Sequence, residues 1–415
     1  MNKIGVFVFA QFRNYQAAVT YLIHELPKTT REVFDDDSTL AKNRAIVGAI
    51  GKTKKKHSSI HVAGTSGKGS VCYLIDAILR AHSKRTGMIQ SPHIYDIRER
   101  IQVNGQLISE KKFVKALNVA TSSIEAAGIR ASYFEVLTAM AFYTFGHTKI
   151  DYQILETGLG GRLDATNVVQ RQNKLCVLMQ IGLDHMHALG DTLEAIAQEK
   201  AGIVQPGNTV IALRQDPTVN AVFEARCREQ NARLIWVEQE NLYLRTNDSI
   251  ALAVCRTLAN RDGWVFDEAI AHATLQQVFI PGRYEKRHLR DHLVILDGAH
   301  NPQKLSALAS KLKIDEKFPA TFVLAIADRK DIASCLRALA SVAERIIATE
   351  FFTHEQDIPR RPIAANQIAS LCKELGIPAI AESDPKKALE LATSYAEPIV
   401  ITGSFYLIGE VDSLF

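Results

Sequence analysis

A glycine-rich loop, HVAGTSGKGS at 61–70, places a lysine and hydroxyl residues among three glycines. In the common phosphate-binding loop the hydroxyl residue directly follows the lysine, whereas here Gly69 separates Lys68 from Ser70. A strand-like segment precedes the loop and a helical pattern follows it, so backbone N–H groups at the helix start would point at an anion. The loop predicts a nucleotide site in which Lys68 reaches terminal phosphates and a hydroxyl meets Mg²⁺. A plain strand-to-helix turn is the alternative.

Possible metal ligands follow two other apolar runs. Glu156 ends a strand-like run before GLGGR, where a carboxylate can bind Mg²⁺ beside a triphosphate or belong to a structural turn. Asp184 and His185 follow the next apolar run, and a neutral imidazole can bind a metal. A structural role is the competing interpretation for His185, and it is the one that we keep for His187.

Three later motifs add charged and polar groups. Lys200 lies in the helical pattern AQEKAGIV, where a lysine is most often a surface charge. Arg283, in PGR, offers a planar fork that suits phosphate. The motif LDGAHNPQ places Asp297, His300 and Asn301 on a turn between a strand-like run and a helical pattern. These groups can form one site only if the fold brings the strand ends together.

Strand-like apolar runs alternate with helical patterns through most of the chain, which predicts an α/β fold with mostly parallel sheets covered on both faces. In such folds, ligands bind at the carboxyl ends of the strands, where the motifs above lie. A charged segment with Pro281 and Gly282, at 279–292, separates two such alternations. We therefore expect one domain over residues 1–283 and a second over residues 284–415.

Composition restricts the class of protein. The 415 residues are 47% hydrophobic and 23% charged, which is typical of a soluble globular protein. A net charge of +4 is too balanced to indicate a nucleic-acid or membrane partner. The six scattered cysteines form no C-x-x-C pair, so we expect neither a zinc site nor a disulfide framework. We expect the protein in a reducing cytoplasm. The apolar run at 4–10 is too short and wrongly flanked for a signal peptide or a membrane span.

Nine short motifs occur in a fixed order along the chain. They are GTSGKGS, SPH at 91–93, ERIQVNG at 99–105, YFEVLTAMAF, GLGGRLDATN, DH with LG and EKAGI, PGR, LDGAHNP and TGSFYLIGEV. Together they resemble the folylpolyglutamate synthase/dihydrofolate synthase family of the Mur ligases, from about residue 60 to the C-terminus and more weakly over 205–245 and 350–395. The resemblance accounts for Gly69, because G-T-x-G-K-G-[ST] is that family's own loop.

The resemblance implies a P-loop-type, ATP-binding N-terminal domain and a smaller Rossmann-like C-terminal domain that binds glutamate. It implies that ATP is bound by Gly67, Lys68, Gly69, Ser70, Asn247, Arg283 and Asp297. It implies two Mg²⁺ ions, with Ser91 and Glu156 on the first and His185 on the second, and it makes Lys200 a carbamylated lysine. A carbamate would turn this cation into an anionic oxygen ligand for a metal. Because only the neutral amine is carbamylated, we expect the pocket to lower the pKa of Lys200.

The resemblance also implies where the other substrates bind. It places the pterin near Ser132, Tyr133, Phe134 and Glu135, and near Leu163, Asp164 and Ala165. His300 matches the histidine that we expect near the incoming glutamate. From these assignments we expect Lys68, His185, Lys200 and His300 to carry the catalysis.

The activity implied is an ATP-dependent ligase that joins L-glutamate to dihydropteroate and to folates through an acyl phosphate. We expect both activities in one cytoplasmic, monomeric chain whose partners are these small molecules, with folylpolyglutamate synthesis alone as the runner-up. A Mur-type ligase for a UDP-linked peptide is disfavoured, because GLGGRLDATN is associated with the folate branch. A nucleotide-controlled binding protein without ligase chemistry would leave LDGAHNP and TGSFYL unexplained.

This chain departs from the family pattern in three places. Ser66 replaces the usual asparagine of the loop, which conserves polarity. The segment at 48–59 lacks the customary glycine-asparagine-proline stretch, so the resemblance supports pterin specificity less strongly than ATP binding. Its basic part, 51–59, is either a solvated loop or a contact for a polyanion. Phe405 stands where leucine is common, and we interpret it as a packing residue.

Overall fold

The computed structural model describes residues 12–27, 38–51, 57–240, 243–315, 317–328, 330–352 and 361–415. The apolar run at 4–10, the lysines of 52–56 and the side chain of His187 lie outside this description. Among the described helices, none is long and apolar enough to cross a membrane. All six cysteines are buried and carry free thiols.

The described part of the chain first forms a sheet of eight strands, arranged β4-β3-β2-β5-β1-β6-β7-β8. The strands are β1 (Ser58–Ala63), β2 (Thr86–Ile89), β3 (Ile101–Val103), β4 (Gln106–Leu107), β5 (Tyr152–Glu156), β6 (Leu175–Leu178), β7 (Thr209–Leu213) and β8 (Arg233–Val237). Strand β1 pairs in parallel with both β5 and β6, and β3 and β4 extend one edge in antiparallel fashion. We call this sheet with its helices the N-terminal lobe.

Helices cover both faces of this sheet. They are α1 (Tyr15–His24), α2 (Ser38–Ile50), α3 (Lys68–Ala81), α4 (Glu110–Ala126), α5 (Tyr133–His147), α6 (Met186–Leu189), α7 (Leu193–Ala201), α8 (Pro217–Glu229), α9 (Tyr243–Asp262) and α10 (Glu268–Gln277). In β6, Leu175 and Val177 pack with α3 and α9, whereas Cys176 and Leu178 pack with α7 and α8 on the other face. Successive strand side chains point to opposite faces, so a strand buried on both sides is apolar throughout.

A second sheet, of six strands within the described residues, is arranged β13-β12-β11-β14-β10-β9. Its strands are β9 (Glu285–Leu289), β10 (His292–Asp297), β11 (Ala320–Leu324), β12 (Ala343–Ala348), β13 (Ala379–Ala381) and β14 (Ile399–Thr402). Its helices are α11 (Pro302–Ile314), α12 (Ile332–Leu339), α13 (Ala365–Glu374), α14 (Pro385–Ala392) and α15 (Phe405–Val411). Only β9 in this sheet is antiparallel to its neighbour. We call this sheet with its helices the C-terminal lobe.

The predicted α/β fold with two mostly parallel sheets is confirmed. The domain division at residues 283 and 284 stays a prediction, although strands β1 to β8 all precede it and β9 to β14 all follow it.

The lobes meet at the carboxyl ends of their parallel strands. Ser66, just after β1, donates a hydrogen bond from its hydroxyl to Oε1 of Gln303 on α11 at 3.1 Å. The hydroxyl of Tyr95 donates to Oε2 of Glu285 on β9 at 3.1 Å. Because parallel strands end at the same edge of a sheet, loops that are far apart in the sequence face one another across this junction.

Candidate active site

A cavity of about 280 Å³ opens between the two lobes. Its lining includes predicted site residues from nine separate stretches of the chain: Gly67, Lys68, Gly69, Ser91, Ser132, Phe134, Glu135, Glu156, Leu163, Asp164, Ala165, His185, Lys200, Arg283 and His300. Motifs that are more than 200 residues apart in the chain therefore contribute to one concave surface. Four predicted residues in the described part of the chain are not in this lining: Ser70, Tyr133, Asn247 and Asp297.

The glycine-rich loop joins β1 to α3, as its pattern predicts. Gly67 is the N-cap of α3, with φ of +84° in the left-handed region that favours glycine. The helix begins at Lys68, because Gly67 already makes the turn. The Lys68 ammonium donates a hydrogen bond to the carbonyl oxygen of Gly64 at 2.9 Å, so it folds over its own loop. The positive end of the α3 dipole faces the cavity.

The position of Gly69 is explained by Arg283. A Cβ atom on Gly69 would lie 2.5 Å from Nη2 of Arg283 and 3.4 Å from Oε1 of Glu156. The missing side chain thus lets a guanidinium from the end of the N-terminal lobe lie against the start of α3. Arg283 is also within cation–π distance of Phe405, its guanidinium carbon 5.2 Å from the ring centroid.

Glu156 supplies a buried carboxylate beside this loop. Its Oε2 accepts a hydrogen bond from the backbone N–H of Ser91 at 3.0 Å. Burial raises the pKa of Glu156, and the charges of Lys68 and Arg283 oppose that rise. The carboxylate is therefore placed among cations at the end of β5, with Ser91 beside it.

Asp184 is the acidic residue that links the lobes. Its Oδ1 accepts a hydrogen bond from the ammonium of Lys330 at 2.5 Å. Burial alone would raise the pKa of Asp184, but the nearby charges of His185 and Lys330 outweigh burial and lower it below its usual range. His185 itself has a left-handed backbone, with φ of +52°, at the N-cap of α6.

Lys200 is buried on α7, contrary to the surface position that its residue type alone suggests. Burial is the main cause that lowers the pKa of Lys200 to about 7, and the nearby charge of Lys68 acts in the same direction. The loop of GLGGR packs directly on this helix, because a Cβ atom on Gly161 would lie 2.8 Å from the carbonyl oxygen of Lys200. The expected depression of this lysine's pKa therefore has a structural basis.

The loop after β5 is organised by Asp164. Its Oδ2 accepts the backbone N–H groups of Gly158 and Leu159, each at 2.9 Å, and its Oδ1 accepts that of Thr166 at 2.9 Å. The ring of Phe134 lies where a side chain on Gly158 would be. A Cβ atom on Gly158 would be 2.6 Å from this ring. These contacts place two of the motifs assigned to the pterin side by side.

Two other predicted residues have structural roles that their motifs did not indicate. Glu135 forms a capping box with Ser132, accepting its backbone N–H at 2.7 Å, and an ion pair with Lys42 of α2 at 2.7 Å. Tyr133 is buried in the core rather than exposed to the cavity.

Asn247 and Asp297 lie outside the cavity lining in different environments. Asn247 is buried on α9, and neither atom of its amide group has a hydrogen-bond partner among the described residues. Asp297 accepts the backbone N–H groups of Tyr284 at 2.8 Å and Ala299 at 2.9 Å. Burial raises the pKa of Asp297 to about 6. The amide of Asn247 is therefore unsatisfied by the described residues, whereas Asp297 already bonds the backbone on both sides of the β9–β10 hairpin.

The His300 ring is fixed by two neighbours. Its Nδ1 donates to the carbonyl oxygen of Gly298 at 2.7 Å, because a carbonyl can only accept, and its Nε2 lies 3.1 Å from the ammonium of Lys304. Burial and the charge of Lys304 lower the pKa of His300 well below its ordinary value. The imidazole is therefore neutral, with Nε2 as an acceptor for Lys304.

Two family models match the chain: "Mur ligase middle domain" over residues 62–252 and "Dihydrofolate synthetase, C-terminal domain" over residues 282–414. The dihydrofolate synthase/folylpolyglutamate synthase of Bacillus subtilis is 30% identical over 415 residues, covering 90% of this chain and 94% of that protein. This chain belongs to the dihydrofolate synthase/folylpolyglutamate synthase family. A folylpolyglutamate synthase of Arabidopsis thaliana is 34% identical over 297 residues, and that match spans 63% of this chain but only about half, 52%, of the plant protein.

Solved structures of this family share the whole fold. A Mycobacterium tuberculosis folylpolyglutamate synthase, complexed with ADP and AMPPCP, matches with a TM-score of 0.83 at 27% identity, covering 97% of this chain and 99% of the other. A bifunctional folylpolyglutamate synthase/dihydrofolate synthase of Yersinia pestis, complexed with AMPPNP and a Mn ion, matches with a TM-score of 0.81 at 26% identity, covering 97% and 98%. The resemblance inferred from the nine motifs is thereby confirmed.

Several lining residues of this family member were missed by sequence reasoning. Lys304 and Lys330 add two cations from the C-terminal lobe, and Thr39 and Asn43 add polar groups from α2. Lys304 has a usable signal, since it follows His300 by four residues and lies in the first turn of α11. Helix α2 precedes the region of resemblance, so no motif indicated it.

The described residues contain no group of three or more histidine, cysteine, aspartate or glutamate side chains that could bind a metal. A metal ion at Glu156 would therefore need further oxygen ligands from hydroxyls or from a bound substrate. This is the usual arrangement for Mg²⁺ beside substrate phosphates.

The ion pair between Asp184 and Lys330 should contribute measurably to stability, because the exposed fraction of the two side chains is only 8% and 17%. A double-mutant cycle with Asp184→Asn and Lys330→Met should give a coupling energy of about 1–3 kcal/mol in urea unfolding at pH 7. The control is the exposed pair Arg214 and Glu238, whose coupling should stay below about 1 kcal/mol. Equal coupling energies in both cycles would contradict the assignment of Asp184 as a buried link between the lobes.

Proposed function

We propose that this protein is an ATP-dependent amide ligase that adds L-glutamate to dihydropteroate and to folates. The observation that supports it most is the single cavity to which the phosphate-loop lysine, a buried strand-end carboxylate and the histidine of the C-terminal lobe all contribute. A nucleotide switch would need only the first of these features.

In the proposed reaction, the carboxylate of the acceptor attacks the γ-phosphorus of ATP, the bond to ADP breaks and an acyl phosphate forms. Lys68 and the N–H groups at the start of α3 stabilise the negative charge that spreads over the transferring group. Arg283, pressed against Gly69, contributes a second fixed cation. Asn247 and Asp297 are the other proposed ATP contacts, of which Asn247 has the unpartnered amide that a ligand can satisfy.

The residues fit two divalent ions bound together with the triphosphate. Ser91 and Glu156 would bind the first ion, and His185 and carbamylated Lys200 the second. A bound Mg²⁺ pair supplies neutralisation of charge between the triphosphate and the acceptor carboxylate. Glu156 suits this role because its Oε2 is fixed by the N–H of Ser91, in an environment where burial disfavours an unpaired charge.

Carbamylation of Lys200 is supported by its environment. Carbon dioxide reacts with a neutral amine, and a pKa of about 7 leaves a substantial neutral fraction at physiological pH, unlike an ordinary lysine. The resulting anion would also offset the nearby positive charge of Lys68.

In the second step, the amine of L-glutamate attacks the acyl carbon, the bond to phosphate breaks and the amide forms. We propose that glutamate enters from the C-terminal lobe beside His300, whose ring is already oriented by Gly298. The acceptor's pterin would lie against Phe134 and the loop containing Leu163, Asp164 and Ala165, opposite α2. Contact of both lobes with the substrates would exclude water from the acyl phosphate.

We propose that residues 1–283 bind ATP and the pterin acceptor, and that residues 284–415 bind glutamate. We further propose a cytoplasmic monomer that has small molecules as its only partners. Free, buried thiols are consistent with a reducing compartment.

Incubation of the purified protein with ATP, L-glutamate and either dihydropteroate or tetrahydrofolate tests the proposal. The mass spectrum should show a glutamyl residue added to each acceptor, because each offers a carboxylate that can be activated as an acyl phosphate. If product forms from tetrahydrofolate but not from dihydropteroate, the activity is folylpolyglutamate synthesis only. ATP hydrolysis without any glutamylated product would contradict the ligase proposal.

Lys200→Ala should lower the rate of product formation about a hundredfold or more, because an anionic metal ligand is lost. Binding of ADP, measured by calorimetry, should change little, and acetate should partly restore the rate. Lys313→Ala, on the exposed side of α11, is the control and should retain the parent rate. An unchanged rate in Lys200→Ala would contradict the proposed carbamate.

A further inference from the structure

Helix α2 carries a buried polar side chain at a position where its neighbours are apolar. Asn43, Ile46 and Ile50 are its buried residues. Their spacing of three and four residues is that of one helical face turned towards the core. Ile46 and Ile50 pack in the hydrophobic cluster with α4 and α5, as this pattern requires. Asn43 begins the stripe with an amide.

The oxygen of this amide is not satisfied by the described residues. Only 3% of Asn43 is exposed, and its Oδ1 is buried without a hydrogen-bond partner among the described residues. A buried polar group that lacks a partner destabilises the fold, so native proteins rarely contain one without a further use. An amide presents both an acceptor and two donors, and it can complement a ligand that has N–H and ring-nitrogen groups.

Asn43 faces the cavity beside the segments that we assign to the pterin. It lines the cavity together with Thr39, which lies one helical turn earlier on α2. Asn43 directly follows Lys42, which forms an ion pair with Glu135 of α5 at 2.7 Å. This ion pair holds the Asn43 segment of α2 close to α5. Phe134 of the same helix supplies an aromatic surface in the same lining.

We propose that Asn43 is a specificity-determining residue that hydrogen-bonds the heteroaromatic ring of the acceptor substrate. The inference rests on the proposed function, because it takes the acceptor to be a pterin, a ring with N–H donors and nitrogen acceptors along its edge. In this role Phe134 contributes apolar contact to the ring, and the Asn43 amide distinguishes a pterin from an apolar ring of similar size.

The test replaces the amide with an apolar side chain of similar size, in Asn43→Leu. In the free protein the substitution removes an unsatisfied group, so the thermal midpoint should rise by about 2 °C or more. In steady-state assays, KM for dihydropteroate should rise about tenfold, because the ring loses a hydrogen bond, while KM for ATP and for L-glutamate should stay within about twofold. A purely structural asparagine would instead give a lower midpoint and unchanged KM values.

Asn43→Val, with a smaller apolar side chain, repeats the test if leucine is too large for the site. Arg44→Leu, at the neighbouring exposed position of α2, is the matched control and should change neither quantity. Equilibrium binding of dihydropteroate to parent and variant, without turnover, separates the two proposals. If the parent binds dihydropteroate but forms no product, the proposed function is wrong, and the affinity difference still tests Asn43. Equal affinity of parent and Asn43→Leu would overturn the role of Asn43.

Discussion

Positive charge brought together from two lobes is the constraint on which this structure depends. Lys68, Lys200 and Arg283 come from the N-terminal lobe and Lys304 and Lys330 from the C-terminal lobe, and all five line one cavity. Burial makes such charges costly, and it contributes most to lowering the pKa values of Lys200 and Lys304 to about 7. A bound polyanion would restore the full charge of Lys304, whereas the proposed carbamylation would convert Lys200 to an anion, so the unliganded protein is only part of the stable arrangement.

The carboxylates in the cavity determine how that charge is divided. Asp184 pairs with Lys330 across the junction, whereas Glu156 remains beside Lys68 and Arg283 on the phosphate side. In the proposed function, the side with Glu156 binds the triphosphate and the side of the C-terminal lobe binds glutamate. Phe134 and Leu163 add a less polar surface to the same lining, and we propose that it holds the aromatic acceptor.

The fold and much of the site follow from the sequence, because apolar runs define the buried parallel strands and the motifs follow those runs directly. Strand β9 was missed, since an edge strand with one exposed face reads as a charge run. The β3–β4 hairpin was also missed, although its Asn104-Gly105 turn, with both φ values positive, is a strong hairpin signal. The burial of Lys200 and the unpartnered amide of Asn43 depend on packing between distant segments, which no local pattern specifies.

The central claim is that the cavity joins a carboxylate to the terminal phosphate of ATP before the amide forms. Dihydropteroate labelled with ¹⁸O in its carboxylate, incubated with ATP and L-glutamate, tests it directly. Because the acyl–oxygen bond breaks in the second step, we expect one ¹⁸O atom in the inorganic phosphate for each amide formed. Amide formation with no ¹⁸O in the released phosphate would contradict the account.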